Sequence, residues 1–122
     1  MIDPRRALRA TLKKWGHDIL LQRRLNDDML YSTRLQKYTT RRYNAQMANQ
    51  TNAANEVPEG LIVNSEMVYF FEHDVNPKSG DRIYERYPTG EQVFLIDQAV
   101  PFMGKQGLVV YWAVGATREL PV

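Results

Sequence analysis

Apolar side chains follow a helical period at the start of the chain and form strand-like runs farther along it. The apolar positions of the first segment are Leu8, Leu12 and Trp15. Their spacing places them on one face of an α-helix, with basic residues on another face. Asp3 before Pro4 is typical of a helix N-terminus, and Gly16 supplies a stop. We therefore predict a helix over residues 4–15 that needs a partner surface, because a helix this short is marginal alone in water.

The rest of the chain contains short β-branched, aromatic or apolar runs that are separated by turn residues. The predicted strands cover residues 18–24, 34–43, 61–63, 67–71, 82–84, 93–96 and 108–114. Strands at such short spacing are typical of an antiparallel barrel or sandwich. We predict a mainly β fold, a small antiparallel β-barrel with an N-terminal α-helix and a long flexible inter-strand loop. The segment 34–43 has long polar side chains on both faces near its end, which indicates an edge or interface strand.

The segment at about 44–60 contains mainly Asn, Gln, Ala and Met, with almost no large apolar side chain. Such a segment cannot bury enough surface to offset the entropy lost on ordering, so we predict a mobile loop. A long loop in a small domain usually has a function, and a spare disordered insertion is the alternative. For a chain of 122 residues, we predict an N-terminal basic helix over 1–17 and one β-barrel domain over 18–122 that contains this loop.

The chain has no cysteine, which excludes a disulfide framework, a thiolate zinc site and a cysteine nucleophile. The N-terminus carries charges where a signal peptide needs an apolar region, and no apolar run approaches the length that spans a bilayer. We therefore expect a soluble protein that is assembled in a reducing cytoplasm and has no membrane partner.

Charge is distributed unevenly along the chain. Up to Tyr43 there are eleven Lys or Arg against four Asp or Glu, a net charge of +7, and beyond it there are five against ten, a net charge of −5. This asymmetry suits a nucleic acid or an acidic protein partner, and it also suits subunits that pack head to tail in a ring. A solvated basic helix face is the alternative.

Groups that could carry catalysis or bind a metal are few. The adjacent His and Asp pairs are His17-Asp18 and His73-Asp74. Neighbours on a strand point to opposite faces, so neither pair forms a base and its orienting carboxylate by sequence alone. Glu72 and Asp74 would share a strand face and could hold a hard cation, but no further acidic residue lies near them in the sequence. With no phosphate-binding glycine loop, GxSxG elbow or HExxH motif, we expect no enzymatic activity, no cofactor and no metal ion.

Two aromatic runs, Tyr69–Phe71 and Tyr111-Trp112, would be platforms for stacking bases if they lay exposed beside arginines. Both lie among apolar neighbours in the acidic half of the chain, so we predict that they pack in the core. Nucleic-acid binding would then depend on the basic helix and the strand Arg34 to Arg42. Lys and Arg side chains there would contact phosphates without reading sequence.

An ordered set of segments in the chain is similar to a known family. The segments are Val68–Phe71, Gly80–Glu85 and Leu95–Gly104, and the similarity extends from Trp15–Arg24 to Val114–Arg118. Together they resemble the head-closure (stopper) and head–tail joining family of tailed bacteriophages. A turn before a strand occurs in many β-proteins, so the order of the segments carries the resemblance. The basic N-terminal helix is longer than in the shortest family members, which begin near their first strand.

The resemblance implies a non-enzymatic virion protein, a small β-barrel that forms a homo-oligomeric ring in the neck between head and tail. The ring would bind the portal and adaptor proteins above, offer an attachment surface to tail proteins below and retain the packaged DNA. In such rings a long inter-strand loop points into the channel, and the matching segment here is about 44–60. The alternatives are a small nucleic-acid-binding module that uses the basic N-terminal half, and another neck or tail-junction component such as a tail terminator.

Three groups of residues are the candidate functional positions. The partner-facing or DNA-facing positions of the basic helix are Arg5, Arg6, Arg9, Lys13 and Lys14. The channel-loop positions are Gln46, Met47, Asn49, Gln50, Asn52 and Asn55. The positions on the interface strand are Arg34, Lys37, Arg41 and Arg42.

Overall fold

A computed structural model of the chain describes residues 3–25, 30–44 and 65–119, which form one helix and six strands. The helix α1 spans Pro4–Trp15, and the strands are β1 His17–Arg24, β2 Tyr31–Asn44, β3 Met67–Glu72, β4 Arg82–Tyr87, β5 Gly90–Met103 and β6 Val109–Arg118. All neighbouring strands are antiparallel, and they close into a barrel in the order β1-β2-β3-β6-β5-β4. The predicted fold class, a mainly β antiparallel barrel with an N-terminal helix, is confirmed.

Both ends of α1 are fixed by the residues that flank it. The Asp3 carboxylate accepts a hydrogen bond from the Arg5 amide at 3.0 Å, and Pro4 occupies the start of the helix, where no amide donor is needed. At the other end, the Gly16 amide donates to the Leu12 carbonyl at 2.8 Å. A Cβ at position 16 would lie 2.5 Å from that carbonyl oxygen, so glycine is required there. The helix therefore begins and ends where the sequence predicts.

α1 packs against the barrel strands β2, β3 and β6. Leu12 is buried and Leu8 is half-buried. Phe70 on β3 and Ala113 on β6 lie opposite each other on the outer face, yet both are buried, as expected for a face that the helix covers. Trp15 is 64% exposed, so the prediction that it packs with the other apolar residues of the helix is wrong.

The strands lie where the apolar and β-branched runs predict them, with one marked difference in length. The sequence predicts a strand over 93–96, whereas β5 continues through Pro101 to Met103. The register between β4 and β5 ends at Leu95, and the rest of β5 pairs with β6. Proline is tolerated in a stretch that is paired on one side, because its missing amide hydrogen then removes no ladder bond. The predicted strand over 61–63 lies outside the described residues.

The barrel interior is filled with side chains rather than open. The buried core consists of Ile19, Leu21, Tyr69, Phe71, Val75, Ile83, Phe94, Ile96, Val114 and Ala116. Burial of the run Tyr69–Phe71 is confirmed, and Trp112 packs against the same core. Tyr111 instead stacks on Phe102, with ring centroids 4.7 Å apart and nearly parallel rings. The core prediction for this second aromatic run thus holds for one of its two residues.

The residues between β3 and β4 close one end of the barrel, which we call the Asp81 end. Because β3 and β4 are not neighbours in the strand order, the connection over 73–81 passes across the barrel. Val75, in that connection, is 2% exposed and belongs to the core. The Arg23 guanidinium donates to the carbonyl groups of Val75 and, at 2.7 Å, of Asn76, which holds the connection in place. This end of the barrel is therefore plugged.

Candidate functional site

The opposite end of the barrel, which we call the Glu85 end, holds a cluster of inward-facing polar side chains. Glu85 on β4 is 2% exposed. Its carboxylate lies 2.5 Å from His17 Nε2 on β1 and accepts a hydrogen bond from Arg42 Nη1 on β2, also at 2.5 Å. The hydroxyl groups of Tyr69 and Tyr87 donate to it at 2.6 and 3.1 Å. We call these five residues, from four strands, the Glu85 cluster.

The cluster keeps Glu85 ionised although the side chain is buried. Burial disfavours the charged form, but the hydrogen bonds that the carboxylate accepts, first among them that of His17, outweigh burial and lower the pKa of Glu85 from 4.5 to about 2. Burial and the nearby carboxylate raise the pKa of Tyr69 and that of Tyr87, so both hydroxyls remain protonated donors. The result is one buried anion with four partners, paired with one guanidinium.

The Glu85 cluster also joins strands where backbone pairing has ended. The register between β1 and β4 covers three residue pairs, and Leu20 opposite Tyr84 is the last of them toward this end. Beyond that pair, His17 and Arg42 reach Glu85 through side-chain contacts. The cluster therefore closes the barrel where its shortest strand pairing stops.

The contact between His17 and Glu85 has the form of a base with its orienting carboxylate, which the adjacent His and Asp pairs do not provide. The His17 side chain is 42% exposed, so its ring reaches the barrel surface. In the described part of the chain, the partners of Glu85 are basic and phenolic groups, with no Ser, Thr or Cys nucleophile among them. The hydrogen bonds to Glu85 thus link four strands at this end of the barrel.

Two of the predicted basic helix positions hold the helix to the barrel. Arg5 Nε donates to the Val109 carbonyl at 2.8 Å, and Arg9 Nε donates to the Glu72 carboxylate at 2.8 Å. The hydrogen bond and the charge of Glu72 raise the pKa of Arg9. Glu72 is thus committed to an arginine, which argues against the cation site that the sequence suggests for Glu72 and Asp74.

The other three basic positions of the helix face solvent. Arg6, Lys13 and Lys14 are exposed, and none of them forms an ion pair with a carboxylate in the described ranges. Lys14 Nζ lies 5.2 Å from the ring centroid of Trp15, within the range of a cation–π contact. These three cations and the exposed tryptophan are side chains of α1 that a partner can reach.

The predicted interface strand divides between the outside and the inside of the barrel. Arg34 and Lys37 are exposed, and Lys37 Nζ lies 3.4 Å from the Asp18 carboxylate. Arg41 is half-buried. Arg42 points inward to the Glu85 cluster, and its place on an interface strand stays a prediction. In the described ranges β2 pairs with β3 only near its C-terminal end, so its earlier part has the predicted edge on that side.

The predicted channel-loop positions lie outside the described residues: Gln46, Met47, Asn49, Gln50, Asn52 and Asn55. The end of β2 and the start of β3, which flank this segment, both lie at the Glu85 end of the barrel. Arg42 and Tyr69, close to those two strand ends, both contact Glu85. The Glu85 cluster therefore anchors the two strands that flank residues 45–64.

The described residues contain no group of three His, Cys, Asp or Glu side chains placed to hold a metal ion. Within the same ranges, no helix has the length and apolar character needed to cross a membrane. Comparison with family models, with curated proteins and with solved structures found nothing similar to this chain.

Sequence reasoning missed the Glu85 cluster and the exposure of Trp15. Glu85 is separated from His17 by 68 positions in the chain, so no local motif connects them. An acidic residue in the middle of the aromatic strand β4 is the one signal in the sequence, because a buried carboxylate requires partners.

Proposed function

We propose that this chain is a non-enzymatic structural subunit of the tailed-phage neck, a head-closure (stopper) protein that forms a ring and retains packaged DNA. The observation that carries the proposal is the closed six-stranded antiparallel barrel with a basic helix on its outer face. That architecture is the one implied by the resemblance of the ordered segments to the head-closure family. The assignment to the neck rests on that resemblance.

The filled interior of the barrel limits how such a protein could act on DNA. Apolar side chains occupy the barrel core, and Val75 plugs the Asp81 end. A small barrel has an interior just wide enough for its own side chains, so no duplex passes through one subunit. A channel for DNA must therefore form between copies of the chain, which is the ring arrangement proposed here.

Apolar side chains at the Asp81 end offer a surface for contacts within such an assembly. They lie on the two hairpins that reach this end, Leu25 and Leu30 between β1 and β2, and Phe102, Met103 and Leu108 around the turn between β5 and β6. Each of these side chains is between 43 and 63% exposed. Clusters of exposed apolar side chains favour association with another protein surface.

The direct test is reconstitution of the neck. The purified chain is mixed with the portal and adaptor proteins of its phage, and the products are analysed by native mass spectrometry and electron microscopy. We expect a ring of defined stoichiometry on the portal–adaptor complex. Failure to bind that complex under conditions where the adaptor binds the portal would contradict the proposal. The chain alone is not a sufficient sample, because ring closure can depend on the neighbouring complex.

The exposed basic positions of α1 should contribute to this assembly. We expect the double variant Arg6→Glu and Lys13→Glu to reduce neck assembly at least about tenfold, because the reversed charges would repel an acidic neighbour or the channel DNA. Assembly is measured as the yield of DNA-filled particles. The control is Lys78→Glu with Arg86→Glu, which makes the same change of net charge at exposed positions near β4, away from α1. Equal particle yields from the two double variants would contradict a role of the helix in the interface.

The predicted loop should serve DNA retention rather than folding. We expect deletion of residues from Ala45 to Asn55 to leave the barrel folded, since shortening a surface loop changes loop-closure entropy only slightly. Packaged DNA should then leak from particles that assemble normally. Thermal unfolding followed by circular dichroism checks the fold, and nuclease-accessible DNA in purified particles measures the leak. If particles with the deletion retained their DNA as well as particles with the parent chain, a role of this segment in DNA retention would be contradicted.

A further inference from the structure

Trp15 is the most exposed large hydrophobic side chain in the described part of the chain, at 64%. It is the last residue of α1, beyond the turn that Leu12 anchors to the barrel. A tryptophan so exposed leaves a large apolar surface in water, and such side chains are enriched at binding sites. The helix does not need Trp15 for packing against the barrel, because Leu12 already supplies a buried contact.

The charged side chains of α1 have one sign. α1 contains five Lys or Arg and no acidic residue, and two of the five are held by the barrel. Lys13 and Lys14 are in the last turn, and Lys14 Nζ lies 5.2 Å from the indole centroid of Trp15. Arg6 and Lys13, two turns apart, share another side of the helix. Lys14 is thus the cation beside the ring, and the other two exposed cations make the rest of the helix positive.

We propose that Trp15 and Lys14 form a binding site for single-stranded nucleic acid. An unpaired base stacks on the indole ring of Trp15, and the adjacent phosphate binds the ammonium group of Lys14. Lys13 and Arg6, on another side of α1, add to the positive potential that attracts the strand. The site does not depend on the neck assignment, since it is built from exposed residues of one subunit.

Stacking determines which form of nucleic acid is preferred. Every base has a flat face, so an exposed tryptophan beside lysines binds single strands with little sequence preference. In a duplex the base faces are already stacked on one another, and only the phosphate contacts remain. Such a site needs no arginine that contacts the edges of the bases, because the ammonium group of lysine binds phosphate as a point charge. The site should therefore prefer a single strand over a duplex of the same sequence.

Fluorescence of Trp15 tests this proposal directly. The chain has two tryptophans, so the variant Trp112→Phe leaves Trp15 as the only indole reporter. This variant is titrated with a twelve-nucleotide oligothymidylate and, separately, with a duplex of the same length. We expect quenching by the single strand and an affinity for it at least about fivefold higher than for the duplex. The logarithm of the affinity should fall with the logarithm of salt concentration, with a slope of roughly −0.7 to −1.4 for one or two phosphates contacted.

Substitution of the ring separates stacking from charge. Trp15→Ala, in the otherwise unchanged chain, should weaken binding to a fluorescently labelled oligothymidylate by roughly five- to a hundredfold, the usual range for loss of one stacked base. Phe102→Ala is the matched control, since Phe102 is also an exposed aromatic residue, at 43%, but lies at the Asp81 end. It should bind as the parent does. Circular dichroism confirms that each variant, including Trp112→Phe, remains folded.

Three outcomes would overturn the proposal. One is equal affinity of Trp15→Ala and the parent for the oligothymidylate, which would mean that the ring does not stack on a base. Another is equal affinity of the parent for duplex and single strand. The third is quenching of Trp15 by polyglutamate as strong as that by the oligonucleotide at the same charge concentration, which would identify the surface as a docking site for acidic proteins instead.

Discussion

Replacing Glu85 by glutamine is expected to lower the free energy of unfolding at pH 7 by about 3 kcal/mol or more. The substitution removes the anion from a site that is 2% exposed and leaves the Arg42 guanidinium without its carboxylate partner. It also weakens the hydrogen bonds that join β1, β2 and β3 to β4. Urea denaturation followed by circular dichroism measures the change.

The same residue should dominate the acid stability of the fold. The pKa of Glu85 is lowered to about 2 in the folded chain from 4.5, so the folded state favours the ionised form. The stabilisation is therefore fully present above pH 4.5 and is lost as the pH falls toward about 2. In Glu85→Gln this dependence should be much weaker, because the variant side chain does not titrate. Unfolding midpoints in urea at several pH values between 2 and 6 measure the difference.

Glu91→Gln is the control for both experiments. Glu91 also pairs with an arginine, Arg86, but at 3.9 Å and with side chains that are 46 and 83% exposed. Exposed pairs of this kind contribute little, so the loss should stay below about 0.5 kcal/mol. If Glu85→Gln cost no more than Glu91→Gln, the Glu85 cluster would not be what closes that end of the barrel.

Replacing Asp81 by alanine is expected to destabilise the fold by about 2 to 4 kcal/mol. The Asp81 carboxylate is 1% exposed and accepts hydrogen bonds from the amides of Arg24 at 2.9 Å and Lys78 at 3.0 Å. Arg23 Nη1 lies 3.3 Å from it. Alanine would leave the amides of Arg24 and Lys78 without this acceptor and loosen the connection that plugs the barrel.

Two further variants define the cause of that loss. Asp81→Asn keeps one carbonyl acceptor, so its cost should lie between those of the parent and Asp81→Ala. Asp74→Ala changes an exposed aspartate in the same connection and should cost less than about 0.5 kcal/mol. Thermal and urea unfolding of all three variants gives the comparison. A loss in Asp81→Ala as small as that in Asp74→Ala would mean that the connection is held by Val75 and the apolar core alone.

Helix and strand positions could be predicted because they depend on local patterns. Asp3, Pro4 and Gly16 act within one or two turns of the helix that they delimit. The aromatic run of β3 among apolar neighbours likewise predicts a buried strand, and Tyr69 and Phe71 lie in the core. The length of β5 could not be predicted, because Pro101 interrupts the local strand signal. Only the three-dimensional pairing reveals that this stretch pairs with β6 beyond the end of its register with β4.

The candidate site was less accessible from sequence, because it depends on which side chains the closed barrel brings together. Arg42 has the polar surroundings of a surface strand, and its inward position follows from its place opposite Tyr69 in the register. The spacing of Trp15 from Leu8 and Leu12 places it on the apolar face of the helix. That spacing cannot predict whether the barrel extends far enough to cover the last turn. The relation between His17 and Glu85 depends on the closure of β1 against β4, which no local pattern specifies.

The register shift and the proline in β5 affect how copies of the chain associate at high concentration. The register of β5 shifts between Ile96 and Gln98, and Pro101 follows on the stretch that β4 does not cover. A strand of a second chain that approached this edge of β5 would meet the irregularity at Ile96 and Gln98. It would then meet Pro101, which has no amide hydrogen to donate. Continuous cross-β growth into fibrils is thereby discouraged, which leaves side-chain contacts to direct how the subunits associate.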